Sequence, residues 1–116
     1  MSTPVGPYTP IVRAGDWLIT SGQIGIGAEG KLVPGGVVDE LRQALANVKA
    51  LVEGAGASIE QIAKTTIFLR HMRDYTLVND EYVAFFGDHR PARSAVAVAE
   101  LPVHALVEVE AWAFVG

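Results

Sequence analysis

Two stretches of the chain place apolar residues at intervals of three and four positions, the spacing of an amphipathic helix. The first stretch predicts a helix over residues 38–53, which Gly54 ends. Its apolar face consists of Val38, Leu41, Leu45, Val48 and Val52. The second stretch predicts a helix over residues 74–86, which Gly87 ends. Its apolar side consists of Tyr75, Val78, Tyr82 and Phe85 or Phe86. The chain is therefore expected to contain two helices that pack by one face each.

Alternating or continuous apolar runs predict the strands. Residues 8–14 and 17–21 predict an opening hairpin, and residues 63–69 predict a buried strand between the two helices. Residues 92–99 and 105–115 alternate, and we expect them to pair as a closing hairpin.

A glycine-rich stretch over residues 22–36 separates the first hairpin from the first helix and predicts loop structure with a short edge strand around 31–33. The order of elements predicts one α+β domain over residues 1–116. Its expected architecture is two-layered, with a mixed sheet of about six strands and both helices on one face. The other face is then left for partners.

Half of the residues are hydrophobic and the mean hydropathy is +0.29, which is more apolar material than one small core needs. We therefore expect an apolar face that a second subunit covers, in a closed homo-oligomer. The formal net charge of -4 disfavours a nucleic-acid partner, since such proteins usually carry clustered cations.

The chain has no cysteine, and its first residues lack the basic and apolar pattern of a signal peptide. A cytoplasmic location is the simplest expectation. No apolar run approaches the roughly 18 residues that a membrane-spanning helix needs, so no membrane partner is expected.

Several familiar motifs are absent or incomplete. Residues 25–30 match a GxGxxG pattern, but the following residues cannot begin a helix, so we expect a glycine-rich turn and no dinucleotide cofactor. The histidines His71, His89 and His104 lack metal-site spacing, and no metal is expected, although His104 could lie near a pocket. Ser94 and Ser21 lack the G-x-S-x-G context of a serine nucleophile.

The last two predicted strands carry the most informative charges. Alternation places Glu108 and Glu110 on a face with large apolar residues, and it places Arg93 beside small ones such as Ala95. If the two strands pair as a hairpin, Arg93 and Glu108 lie on one face above an alanine floor. A purely structural ion pair would explain the same pattern.

Seven segments in order resemble the successive motifs of the RidA (YjgF) family over nearly the whole chain. They are G-P-Y over 6–8, T-S-G-Q-I over 20–24, Q-A-L-A-N-V-K over 43–49, K-T-T-I-F over 64–68, V-N-D-E-Y over 78–82, P-A-R-S over 91–94 and E-V-E-A over 108–111. Each motif is weak alone, but the ordered set is specific. The resemblance implies the chorismate-mutase-like fold, a homotrimer, and an active-site cleft at each subunit interface.

The resemblance also implies roles for individual residues. Arg93 would grip a substrate carboxylate, Glu108 would handle water, and Tyr8 would reach across the interface to close the pocket. The substrate-binding candidates are Ser21, Gly22, Asn79 and Ala95. Glu110 is expected to be structural, and Asn47 and Lys49 are assigned to helix packing and surface.

Two departures from the family pattern bear on specificity. Ala95 stands where many members have cysteine, which removes a wall group and any thiol chemistry. The connection over residues 87–90 is shorter than in the best-known members, so the loop at the pocket mouth differs. Arg90 in this loop is a candidate for substrate selection.

The implied reaction is hydrolysis of a 2-imino acid, or its 2-enamino tautomer, to a 2-oxo acid and ammonia without a cofactor. The partners would be small imino and oxo acids and two further copies of the chain. A non-catalytic trimer that binds small carboxylates is the alternative. The RNA cleavage attached to some relatives is disfavoured by the acidic charge balance.

Overall fold

The computed structural model describes residues 6–116. Helix α1 spans Val37–Gly54 and helix α2 spans Tyr75–Phe86, each within one residue of the boundaries that apolar spacing predicted. The α1 residues that the spacing placed on one face, from Leu41 to Val52, are buried. Among the described residues, no helix is long and apolar enough to cross a membrane.

Within residues 6–116, five strands form one mixed sheet in the order β1-β2-β5-β3-β4. The strands are β1 (Ile11–Ala14), β2 (Trp17–Thr20), β3 (Ile62–Leu69), β4 (Ala92–Ala97) and β5 (Val107–Phe114). Strands β1 and β2 form the predicted opening hairpin, and β3 runs parallel to β4 and antiparallel to β5. The α+β class, the two helices and the mixed sheet are therefore confirmed.

The expected closing hairpin is wrong. Strand β3 lies between β4 and β5 and pairs with both of them, so the last two strands of the chain never meet. The short helical turn Pro102–His104 instead carries the chain past the end of β3 before β5 begins. Arg93 and Glu108 therefore do not lie opposite each other in one hairpin.

The sixth strand expected in the glycine-rich stretch is also absent from the described sheet. Around residues 31–33 there is only a single bridge, between Ile26 and Leu32. The stretch is fixed to α1 by Asn47, whose Nδ2 donates to the carbonyls of Ile24 (3.1 Å) and Ile26 (3.0 Å). Gly25 lies directly on α1, where a Cβ would be 2.8 Å from the backbone of Glu40. The loop is thus packed as part of the domain.

The core lies between the sheet and the helices. Alternate residues of β5 point into it, and Val107, Val109 and Ala111 are fully buried against the apolar face of α1. Glu40 on α1 is also buried, and its Oε1 accepts the backbone N–H of Leu106 at 2.7 Å. Burial raises the pKa of this carboxyl, and the hydrogen bond partly offsets the rise. The start of β5 is therefore tied to α1.

The opposite sheet face, which we call the open face, has an aromatic end and a polar centre. At the aromatic end, Trp17 packs edge-on against Trp112 and Phe114, and the last two are 40% and 44% exposed. In the polar centre, Lys64 Nζ donates to Ser94 Oγ at 2.8 Å. The face is thus apolar only in part, and its exposed aromatic rings lie where a partner was expected.

Candidate active site

Glu108 is the centre of one group of predicted site residues. It lies on the open face near the start of β5, half-buried, in a cavity of about 240 Å³. The lining residues are Tyr8, Ser21, Gly22, Ile24, Pro102 and Glu108. Burial raises the pKa of the Glu108 carboxyl above its usual value, and the negative charge of Glu110 raises it further. A carboxyl group in this setting is suited to exchange protons with a ligand.

The backbone beside Glu108 explains why the cavity exists. Gln23 exchanges both backbone hydrogen bonds with Val109, at 2.7 and 2.9 Å, so the segment after β2 runs alongside β5. This brings Gly22 against the carboxylate, where a Cβ would lie 2.6 Å from Glu108 Cδ. Only glycine leaves room for the carboxylate in this position. Gly22 therefore contributes to the cavity by having no side chain.

Tyr8 and Ser21 belong to the same cavity. The Ser21 hydroxyl donates to the carbonyl of Thr9 at 2.7 Å, and the Ser21 N–H donates to the carbonyl of Pro10 at 2.8 Å. These two bonds hold the segment that carries Tyr8 at the cavity mouth, where its side chain is 41% exposed. Tyr8 thus lines the same cavity as Glu108 of its own chain, and its reach across a subunit interface stays a prediction.

Arg93 is not in this cavity. In the sheet register Arg93 pairs with Thr65, which is fully buried on the face that the helices cover. Glu108 pairs with Phe68, three residues further along β3 and therefore on the opposite face. Arg93 and Glu108 of one chain thus lie on opposite faces of the sheet, and they form neither the structural ion pair nor the single pocket that the hairpin implied.

Helix α2 holds the Arg93 guanidinium. Its Nη2 donates to the Tyr75 hydroxyl at 3.0 Å, and its Cζ lies 5.4 Å from the centre of the Tyr75 ring and 5.0 Å from that of Tyr82. The Tyr82 hydroxyl is itself 2.7 Å from Thr65 Oγ1. Sequence reasoning placed Tyr75 and Tyr82 on the apolar face of the second helix and missed their contact with the arginine.

The two remaining candidates, Ala95 and Asn79, belong to the elements that carry or contact Arg93. Ala95 follows two positions later on β4 and shares its face. Asn79 shares a side of α2 with Tyr75 and Tyr82 by its spacing, and its Oδ1 is buried with no partner among the described residues. An unpaired buried acceptor is uncommon, and a ligand or neighbouring chain would satisfy it. The predicted residues therefore form two groups: one around Glu108 and one around Arg93.

Two other predictions from the sequence concern His104 and Arg90. His104 does line a cavity, of about 440 Å³, which shares no lining residue with the Glu108 cavity. The Arg90 guanidinium folds back on its own loop, where it donates to the carbonyls of Gly87 and His89. Within residues 6–116, no three His, Asp or Glu side chains gather in a way that would hold a metal ion.

Known proteins resemble this chain over most of its length. The family model described as Endoribonuclease L-PSP matches residues 1–115. The 2-iminobutanoate/2-iminopropanoate deaminase of Escherichia coli strain K12 is 46% identical over 110 residues, which is 92% of this chain and 86% of the relative.

Solved structures agree with this match. The YjgF gene product of E. coli is 44% identical with a TM-score of 0.91, and the alignment covers 97% of this chain and 91% of that one. E. coli TdcF, solved with bound serine, is 39% identical with a TM-score of 0.92 and the same coverage. The fold, the ordered motifs and these matches together show that the chain belongs to the RidA (YjgF) family, whose model carries the description Endoribonuclease L-PSP.

Proposed function

We propose that this protein is a cytoplasmic deaminase that hydrolyses 2-imino acids, and their 2-enamino tautomers, to 2-oxo acids and ammonia. The observation that carries the proposal is the Glu108 carboxyl, half-buried in a small cavity where burial raises its pKa above the usual value. The relative named 2-iminobutanoate/2-iminopropanoate deaminase, at 46% identity, supports the same reaction class. The reaction needs no cofactor.

The separation of Arg93 from Glu108 supports a site built from two subunits. A carboxylate clamp and a base that act on one small 2-imino acid must reach adjacent atoms, and within one chain the sheet lies between them. A second copy would bring its Arg93 group to the Glu108 cavity of the first. The exposed Trp112 and Phe114 on the open face offer apolar area for such an assembly. We propose the homotrimer that the family resemblance implies.

In this arrangement Arg93 binds the substrate carboxylate through two parallel charge-assisted hydrogen bonds, which fixes the position of the C=N carbon. Glu108 removes a proton from water as the water oxygen bonds to that carbon and the π electrons move to nitrogen. Glu108 then returns the proton to nitrogen, the C–N bond breaks as the carbonyl forms, and the hydroxyl proton passes through Glu108 to the departing ammonia. An iminium acid and water thus give a 2-oxo acid and ammonium.

The side chains around these two groups have supporting roles. Tyr8 at the cavity mouth would close over the substrate, and Ser21 would keep Tyr8 in place. Ala95 and Asn79 would form the wall beside Arg93, with the buried Asn79 amide oxygen available to accept an N–H. Because imines already hydrolyse in water, positioning and one base are sufficient for useful acceleration.

One observation favours a second candidate function. The structure of the relative TdcF contains bound serine, an amino acid with a carboxylate but no imine. A non-catalytic protein that binds small carboxylates would use Arg93 in the same way and would leave Glu108 without a chemical role. RNA cleavage, which the family description names, is not favoured because 13 acidic residues outnumber 9 Lys and Arg.

Ammonia release from imines generated in situ, from several amino acids in turn, tests the proposal. We expect the wild-type protein to accelerate release from small 2-imino acids and Glu108→Gln to lose that acceleration. A wild-type protein that binds 2-oxo acids by calorimetry but releases no ammonia faster than buffer would establish the carboxylate-binding alternative.

A further inference from the structure

The Tyr75 hydroxyl is the one polar group that contacts the Arg93 side chain among the described residues. Arginine has only donors, so this 3.0 Å contact uses a lone pair of the Tyr75 oxygen and leaves the tyrosine proton free. The proton must then point away from the guanidinium towards another acceptor. Within residues 6–116, no side chain or carbonyl supplies the Tyr75 hydroxyl with such an acceptor.

The two tyrosines beside Arg93 differ in their surroundings. Tyr82 is 5% exposed, and its hydroxyl is engaged by Thr65, which is fully buried, so it forms a fixed support under the guanidinium. Burial raises the pKa of the Tyr82 hydroxyl, so it stays neutral. Tyr75, the first residue of α2, is 39% exposed and lies at the surface edge of the same support. Of these two tyrosines, only Tyr75 has a hydroxyl that a ligand reaches.

We propose that Tyr75 is a substrate-binding residue, whose O–H donates a hydrogen bond to the carboxylate that Arg93 holds. This inference rests on the proposed role of Arg93 and extends it. The bound carboxylate would accept two bonds from the guanidinium and a third from the adjacent phenol. Each of these groups is a donor aimed at an anion, so a neutral carboxamide, which brings its own N–H donors, would leave one of them unpaired. Tyr75 thereby adds selectivity for the free acid.

The direct test compares the binding of 2-oxobutanoate and 2-oxobutanamide to wild type and Tyr75→Phe by calorimetry. A hydrogen bond to a charged group is strong enough that we expect Tyr75→Phe to weaken 2-oxobutanoate binding about tenfold. Binding of 2-oxobutanamide should change far less, so the preference for the acid should shrink. In the deaminase assay KM should rise while kcat stays within about twofold, the signature of lost ground-state binding.

Tyr82→Phe is the matched variant, since it also removes one phenol hydroxyl beside Arg93 and retains the ring. It leaves Thr65 Oγ1 without its partner inside the core, so it should lower the melting temperature more than Tyr75→Phe. It should weaken 2-oxobutanoate binding less than Tyr75→Phe does.

The outcomes separate this inference from the proposed function. A wild-type protein that binds no 2-oxobutanoate would contradict the carboxylate site itself. A wild-type protein that binds it, with Tyr75→Phe unchanged in affinity and in acid preference, would overturn only the role of Tyr75. The role of Tyr75 is equally overturned if Tyr75→Phe unfolds at a temperature as low as Tyr82→Phe and binds normally, because the hydroxyl would then serve structure.

Discussion

The Glu108 group and the Arg93 group are built by different means. Around Glu108 the backbone sets the geometry: the segment after β2 is fixed by main-chain bonds to β5, and Gly22 leaves the space that the carboxylate fills. Around Arg93 the side chains set it: two tyrosine rings and one hydroxyl of α2 hold the guanidinium. The first group presents a carboxyl group in a small cavity, and the second presents a cation on a helix-covered edge. Substitutions in the two groups should therefore have different effects on turnover and on ligand affinity.

Glu108→Gln should give the largest loss. Glutamine keeps the size and the hydrogen bonding of the side chain but cannot accept a proton at neutral pH, so kcat should fall about a hundredfold or more. Affinity for 2-oxobutanoate, measured by calorimetry, should change little because the proposed carboxylate contact is made by Arg93. Loss of product binding with normal turnover in this variant would reverse the two assigned roles.

Arg93→Lys should come next, with kcat/KM reduced roughly tenfold to a hundredfold. The positive charge remains, but the paired donors and the flat surface that stacks on the tyrosine rings are lost. Thermal unfolding should show a folded protein, and steady-state ammonia release should show the defect. Near-normal turnover would reduce Arg93 to a structural partner of α2.

Gly22→Ala should disturb the Glu108 group alone. The new methyl would overlap the Glu108 carboxyl, which is the far end of a flexible side chain and so moves aside at modest cost in stability. We expect kcat to fall about tenfold, because the base is displaced, while 2-oxobutanoate affinity is retained. Gly54→Ala, at the end of α1 with open space around it, is the matched control and should leave turnover unchanged.

Glu110→Gln should give the smallest effect, a shift in the pH profile. Glu108 acts as a base only when deprotonated, so kcat/KM falls as the pH drops through its raised pKa. Removing the Glu110 charge takes away the lesser of the two causes of that rise, so the acid limb should move to lower pH. Burial, the larger cause, remains. A limb that stays in place or moves to higher pH would show that Glu110 does not act on the base.

Local patterns predicted the elements but not their neighbours. Apolar spacing located both helices, and alternation correctly grouped Glu108 with Glu110 on β5 and Arg93 with Ala95 on β4. It could not show that β3 separates these strands, because alternation within a strand carries no information about its partner. Whether Arg93 and Glu108 share a face depends on the register of β4 with β3 and on the register of β3 with β5. The expected hairpin placed the two residues on the same face, which is wrong.

The candidate site was partly predictable for similar reasons. Ordered motifs brought Tyr8, Ser21, Gly22 and Glu108 forward, and the structure places them in one cavity. Tyr75 was missed because, at its spacing on α2, a tyrosine is indistinguishable from any other apolar residue of the helix face. Only the three-dimensional contact with Arg93 reveals that its hydroxyl has a polar neighbour.

The central claim is that one active site takes Glu108 from one subunit and Arg93 from another. Mixing Arg93→Ala with Glu108→Gln tests it, after the two inactive proteins are unfolded together and refolded in equal amounts. In randomly mixed closed oligomers about a quarter of the interfaces would combine an intact Arg93 with an intact Glu108, so about a quarter of wild-type ammonia release should return. Each variant refolded alone should stay inactive. If the mixture contains mixed oligomers by native mass spectrometry and yet shows no recovery, both residues act within one chain and the two-subunit site is wrong.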